Sequence, residues 1–295
     1  MYSYWKNNQL KIAPWIFLAP GILMFSLYVI FPIFQSINLS FYQWDGLGTK
    51  TYIGVENYIE LLDDEYFLVS LKNNVIWLVL YLLAVPAGLF TALFLNQTVR
   101  GIRIYKSMFF FPFVISQVVV GLVFSWFYAP TNGLLNVILE AFGFDSIAIL
   151  AEEDYVTYGI IAAGLWPQTA YCMILYLTGL NSVDQEQIEA GRIDNARGWR
   201  MLWYVILPQL KPATFIAVVV TIIGALRSFD LIDIMTGGGP WGSSRVLAYY
   251  MYEKAFSEYG FRMGYGAAIA VVLLMIMMIY IATILYRLYR DERGG

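Results

Sequence analysis

Glu189 to Pro212 reads EAGRIDNARGWRMLWYVILPQLKP, a charged and amphipathic interval between two strongly apolar stretches. In a chain that crosses a membrane such an interval must sit in water at one face, because ionised groups are costly in hydrocarbon. Its residues predict a helix, a turn and a second helix. Asp184 caps a run of helix formers, Gln185, Glu186, Gln187, Glu189 and Ala190, and Asn195 and Gly198 interrupt them. Asn tolerates the left-handed conformation that closes a helix, so Asn195 suits the turn. The second helix is predicted to begin near Ala196 and stop before Pro208. Trp199, Leu202, Trp203, Ile206 and Leu207 recur at helical spacing and form a face able to lie against membrane helices, with Arg197 and Arg200 opposite.

Composition agrees with a membrane setting. Hydrophobic residues make up 60% of the 295 and charged residues only 13%, against roughly 25% charged in a soluble domain. Mean hydropathy is +0.63. The net charge of −3 says little about partners, and nothing points to nucleic acid. There is no His and a single Cys, Cys172, inside an apolar run, which removes disulfides, cysteine-rich metal sites and His-based catalysis.

Outward from the opening interval, six apolar runs predict six membrane helices near 13–37, 75–95, 108–128, 158–180, 212–235 and 265–288. The chain 1–295 reads as one membrane domain, with the polar loop at 184–211. The first run is too long for a signal peptide and lacks a small-residue cleavage site, so it reads as a retained helix. Pro86, Pro112 and Pro167 fall inside runs, where each removes a backbone donor and tends to kink a helix.

Lys and Arg set the orientation. With the N-terminus inside, Lys6, Lys11, Arg100, Arg103, Lys106, Arg192, Arg197, Arg200, Lys211, Arg287, Arg290 and Arg293 are all cytoplasmic, most of the 18 basic residues. The positive-inside rule then places both termini, and Glu189 to Lys211, in the cytoplasm. The outer links are mildly acidic, with Asp63, Asp64, Glu65, Glu152, Glu153 and Asp154. Between Phe41 and Lys72 an amphipathic surface helix with Trp44, Tyr52 and Tyr58 as interfacial anchors is expected.

A solute pathway would be lined by polar and aromatic groups on the helices flanking the cytoplasmic loop. Gly164, Pro167, Gln168 and Tyr171 share a face on the fourth helix, as do Thr221, Ala225 and Ser228 on the fifth. Gln168, Tyr171, Thr221 and Ser228 suit a hydroxyl-rich ligand, and Gln117 on the third helix is a further candidate. The same polar groups could instead bond neighbouring helices. Arg227 is read as an ionised residue within a helix, functional by default; it pairs either with Asp230 or with an anionic substituent on the ligand.

The opening interval closely resembles the EAA loop of ABC importer permeases, with Glu189-Ala190-Gly191, then Asp194-Asn195-Ala196, then Val205-Ile206-Leu207-Pro208 and Pro212. Gly191 stands where the family has a second Ala, and Asn195 where it usually has Gly. Phe229 to Pro240 resembles the FDxIxxMTxGGP segment of carbohydrate importer permeases of the maltose and glycerol-phosphate type. Ile53 to Tyr58, Tyr249 to Phe256 and Tyr259-Gly260 extend the likeness. The resemblance implies an all-α, six-helix type I importer permease for a sugar or sugar derivative in a bacterial or archaeal inner membrane, working by alternating access. It implies that Glu189, Ala190, Gly191, Asp194 and Asn195 couple to an ATPase dimer, and that Gly237, Gly238, Gly239 and Pro240 form a flexible loop reaching an external solute-binding protein. It also implies a second, related permease subunit that completes the complex. The chain has no phosphate-binding G-x-x-x-x-G-K-[ST] segment, so ATP and Mg belong to partner chains and no enzymatic step to this one. An ion-coupled secondary transporter is the alternative; it would need a mid-membrane carboxylate, for which only Asp230 and Asp233 offer themselves.

Overall fold

The computed structural model describes residues 2–257 and 261–294, where the regular structure is helical apart from a hairpin pairing Tyr42–Gln43 with Thr51–Tyr52. The Tyr259-Gly260 part of the likeness lies outside the described residues. Four helices are long and apolar enough to cross a membrane: Ala13–Leu39, Glu65–Leu95, Glu153–Leu180 and Met263–Ile284. Two further candidates are bent pairs, Ile102–Val114 with Gln117–Phe127 at 97° and Trp199–Gln209 with Lys211–Leu226 at 75°. Counting each pair once makes six, as the apolar runs predict.

The breaks correct two of those runs. Run 108–128 is not one helix, because Ile115 and Ser116 are extended at ψ 143° and 148°. Ser116 then caps the next helix, accepting the Val119 N–H at 3.4 Å. Run 212–235 ends as a helix at Leu226 and resumes as Asp230–Thr236. Hydropathy alone does not mark that interruption, since neither Gly nor Pro sits in it. Pro167, by contrast, lies in an uninterrupted helix. The Tyr81 hydroxyl donates to the Gly164 carbonyl at 3.1 Å, satisfying an acceptor beside the proline.

The chain divides into two compact units. The first comprises Met1–Asp63 and Met251–Gly295. Ala13–Leu39 has no buried residue in its apolar window, so its apolar surface faces lipid or another subunit. The expected surface helix is Glu56–Asp63. Asn57 holds it to the preceding span through bonds to the Ser40 and Tyr42 carbonyls at 2.8 and 3.1 Å. The Tyr58 hydroxyl, at 2.6 Å from Ser40 Oγ, is engaged there.

The second unit, Asp64–Tyr250, contains every candidate site residue. Its helices pack around Glu153–Leu180. Two apolar clusters share that helix, one built on Trp77, Tyr81, Val120, Ile160 and Ile232, the other on Ala84, Leu95, Met173, Tyr176 and Leu210. Small residues permit the close crossings: a Cβ on Gly88 would stand 2.4 Å from Cys172 Cβ. The link after the third span carries an unforeseen helix, Leu134–Ala141. Asn136 organises it by donating to the Ala129, Pro130 and Ile147 carbonyls and accepting the Ile147 N–H.

Candidate functional site: a permease turn, a polar helix crossing and an outer loop

The Glu189 to Pro212 interval folds as helix, turn and helix. Gln185–Ile193 is capped by Asp184, whose carboxylate accepts the Glu186 N–H at 2.9 Å. Asn195 closes it at φ 60°. The Ala196 N–H donates to the Gly191 carbonyl at 2.8 Å and the Asn195 N–H to Arg192 at 3.1 Å, the paired closure of a Schellman turn. Asn195 thus occupies the left-handed position usually given to Gly. Gly191 is where this helix meets the next: a Cβ there would lie 3.1 Å from Val205 Cγ2.

Three expectations for the second helix change. It starts at Trp199 instead of near Ala196, because Gly198 adopts φ 53°, ψ −121°. It also runs through Pro208 to Gln209, with Leu202–Ile206 widened into a π-helical turn that ends one residue before Leu207-Pro208 closes the helix. The face is corrected too: the inward residues are Met201, Leu202, Val205, Ile206, Leu207 and Gln209, while Trp199 and Trp203 are exposed on the same side as Arg200 and not opposite it. Glu189, Ala190, Asp194 and Asn195 are exposed as well. Beside them Ile193, which residue patterning did not single out, is 86% exposed, an apolar group presented at the tip of a polar turn.

Among the pathway candidates the structure brings Gln168 and Thr221 together. Gln168 Nε2 donates to Thr221 Oγ1 at 2.8 Å, with Cys172 Sγ 3.6 Å from the same hydroxyl. Thr221 and Cys172 are fully buried, so this polar crossing joins the fourth span to Lys211–Leu226. Tyr171 instead packs against Phe113 in a tilted ring contact, centroids 5.0 Å apart. Gln117 opens the helix after the third-span break, and its buried Oε1 has no hydrogen-bond partner among the described residues. Arg227 is not inside a helix: it is the C-terminal cap of Lys211–Leu226 and is exposed, where the helix dipole favours a cation. Among the described residues it forms no ion pair with Asp230. Ser228 falls past the helix end, so it does not continue the Thr221 and Ala225 face.

The Gly-rich segment and the residues that follow it are tied to their neighbours by side-chain hydrogen bonds. Gly237 closes Asp230–Thr236 in the left-handed region, and Gly239-Pro240 is cis. Ser244 Oγ donates to the Gly239 carbonyl at 2.6 Å and Ser243 Oγ to the Pro240 carbonyl at 2.7 Å. Asn73 donates to the Ser243 and Arg245 carbonyls at 2.6 and 2.8 Å, and Asn74 accepts the Leu247 N–H at 2.8 Å. Gly238 is buried. The projecting residue is Trp241, 86% exposed at φ 48°, and neither it nor the two asparagines were among the sequence candidates. Glu65, Lys72, Glu153, Asp154, Tyr158 and Trp241 help line an adjoining polar cavity of about 450 Å³.

Long apolar spans, two of them bent, with a buried polar contact between two of the helices and an exposed amphipathic turn, are the architecture of a helical membrane permease subunit. The chain belongs to the family of binding-protein-dependent transport system inner membrane components, which it matches over residues 84–291. It is 37% identical over 277 residues to the probable ABC transporter permease protein YurN of Bacillus subtilis, covering 92% of this chain and 94% of that one. With the alpha-glucoside transport system permease protein AglF of Rhizobium meliloti it shares 33% identity over 296 residues, 97% of this chain and 84% of the relative. Its fold matches a solved bacterial ABC transporter involved in the import of the acidic polysaccharide alginate, at TM-score 0.84 and 21% identity, covering 98% of this chain and 99% of that one. The fold is thus the type I importer permease fold that the sequence resemblance implies. The family and the relatives named here are those of ABC transporters and give no support to the ion-coupled alternative.

Proposed function

We propose that this permease moves a sugar or sugar derivative inward by alternating access, coupled through Glu189, Ala190, Gly191, Asp194 and Asn195 to a dimer of ATPase subunits that holds the ATP and Mg. The observation that carries the coupling role is the Schellman-closed turn, which presents Ile193 among exposed polar residues. An exposed large apolar side chain at a rigid tip suits a pocket on a partner. The ligand class rests on the FDxIxxMTxGGP likeness and on the alpha-glucoside relative.

In this reading a second permease subunit completes the pathway, both termini are cytoplasmic, and Gly237 to Pro240 with Trp241 meets the external binding protein. Gln168, Tyr171, Thr221, Arg227, Ser228 and Gln117 are the candidates for contact with solute. Gln168 and Thr221 satisfy one another in the present conformation and would become available only when their helices separate.

The test is to purify the assembled complex and compare it with complexes carrying Glu189→Ala or Asn195→Pro. Loss of both transport and binding-protein-stimulated ATP hydrolysis is expected; survival of both would remove the coupling assignment.

A further inference from the structure

The helix Trp199–Gln209 turns away from Lys211–Leu226 by 75°, so when the latter stands upright the former runs close to the membrane plane. Its outward arc is chemically specific. Trp199, Trp203 and Tyr204 are 63%, 61% and 80% exposed, and helical spacing puts Arg200 among them. Arg197 enters the same exposed stretch. Arg197 and Arg200 form no ion pair among the described residues. Trp199 also meets Phe90 edge-on at 6.1 Å. Phe90 and Phe94 are exposed on the second span, so the aromatic arc continues an apolar membrane-facing surface.

Indole and phenol groups favour the headgroup level, where one end is apolar and the other wet. Arginines among them add attraction for anionic headgroups. We infer that the Trp199, Trp203 and Tyr204 face, with Arg197 and Arg200, is a docking surface for anionic phospholipid that anchors the second helix of the coupling segment in the bilayer interface. The lipid would then hold one arm of the turn while the other, Gln185–Ile193, remains free for a protein partner. This placement rests on the proposed cytoplasmic location of the segment.

The experiment uses the assembled complex in nanodiscs of phosphatidylcholine with graded phosphatidylglycerol, either lipid brominated on its acyl chains. Bromine quenches indole emission at short range. Wild type is expected to be quenched more by brominated phosphatidylglycerol than by brominated phosphatidylcholine at equal fraction, with a preference on the order of fivefold per arginine. Trp199→Phe with Trp203→Phe should remove part of the quenching, and Arg197→Gln with Arg200→Gln should abolish the headgroup preference. Unchanged quenching in the Trp variant would mean that a protein subunit covers the face, overturning the inference. Preference persisting without the arginines would overturn it too, as would competition by soluble glycerophosphoglycerol, which indicates a phosphate pocket instead of a bilayer surface. Quenching is read without transport, so it stands or fails separately from the proposed import activity.

Discussion

Gln209 accepts the backbone N–H of Asp184 through Oε1 at 2.8 Å while its Nε2 donates to the Val205 carbonyl at 3.0 Å. One amide side chain therefore joins the start of Gln185–Ile193 to the end of Trp199–Gln209. Helix, turn and helix are closed into a loop that can move as a body. Replacing Gln209 by Ala removes a bond worth about 1 kcal/mol, so the 185–195 amides should exchange hydrogen roughly fivefold faster. Unaltered exchange in the purified complex would show that the clamp is not rate-setting for local opening.

The turn itself gives a sharper contrast. At φ 60° Asn195 occupies a region that β-branched residues reach only with strain of about 1–2 kcal/mol. Asn195→Gly is predicted to keep coupling within about twofold of wild type, and Asn195→Val to lower stimulated ATPase activity by about tenfold, following that strain. Equal activities of the two variants would refute a left-handed requirement.

For the polar crossing, Thr221→Val leaves the Gln168 amide only the weak acceptor Cys172 Sγ at 4.0 Å, at a cost of roughly 1–3 kcal/mol. The double change Gln168→Leu with Thr221→Val should be less destabilised than the sum of the single changes, because neither partner is then left unsatisfied. Melting temperatures of the four complexes check this. Additive losses would separate the two residues, and a selective change in uptake without loss of stability would favour solute contact.

At the outer loop, Asn73 anchors two carbonyls at once. Asn73→Ala is expected to release the Ser243 to Arg245 backbone at a cost of about 1–3 kcal/mol and to weaken the response to loaded binding protein. Half-saturation of ATPase stimulation by the binding protein measures it; an unshifted midpoint would leave the loop without a docking role.

Gly88 faces Cys172 Cβ at 2.4 Å and the Met173 nitrogen at 2.8 Å from an added Cβ. Both neighbours are main-chain or near it and cannot swing aside. Gly88→Ala should therefore separate the second and fourth spans, costing about 1–3 kcal/mol and lowering the yield of folded complex. Wild-type yield and melting would contradict so tight a crossing.

Much of this was legible because membrane solvation restricts a chain severely. Apolar runs of sufficient length must be helices, since hydrocarbon satisfies no backbone group. The polar turn was legible for a related reason: Asp184 caps, and Asn195 reaches φ 60° by its own chemistry. The fifth run was misread beyond Leu226 because hydropathy reports solvent preference and not dihedral angle. Arg227 consequently moved from a helix interior to an exposed helix end.

What the amino-acid sequence by itself determined was therefore local or set by solvent: six apolar segments, the polar turn and its left-handed closure, and the Gly-rich segment before Pro240. Tertiary structure alone decided which polar groups are satisfied and which project. Gln168 finds Thr221 from 53 residues away, and Ser243 is held by Asn73 from 170. Nothing in helical periodicity specifies such pairings. They depend on how closely the helices approach, as at Gly88, where an added Cβ would stand 2.4 Å from Cys172 Cβ and 2.8 Å from the Met173 nitrogen.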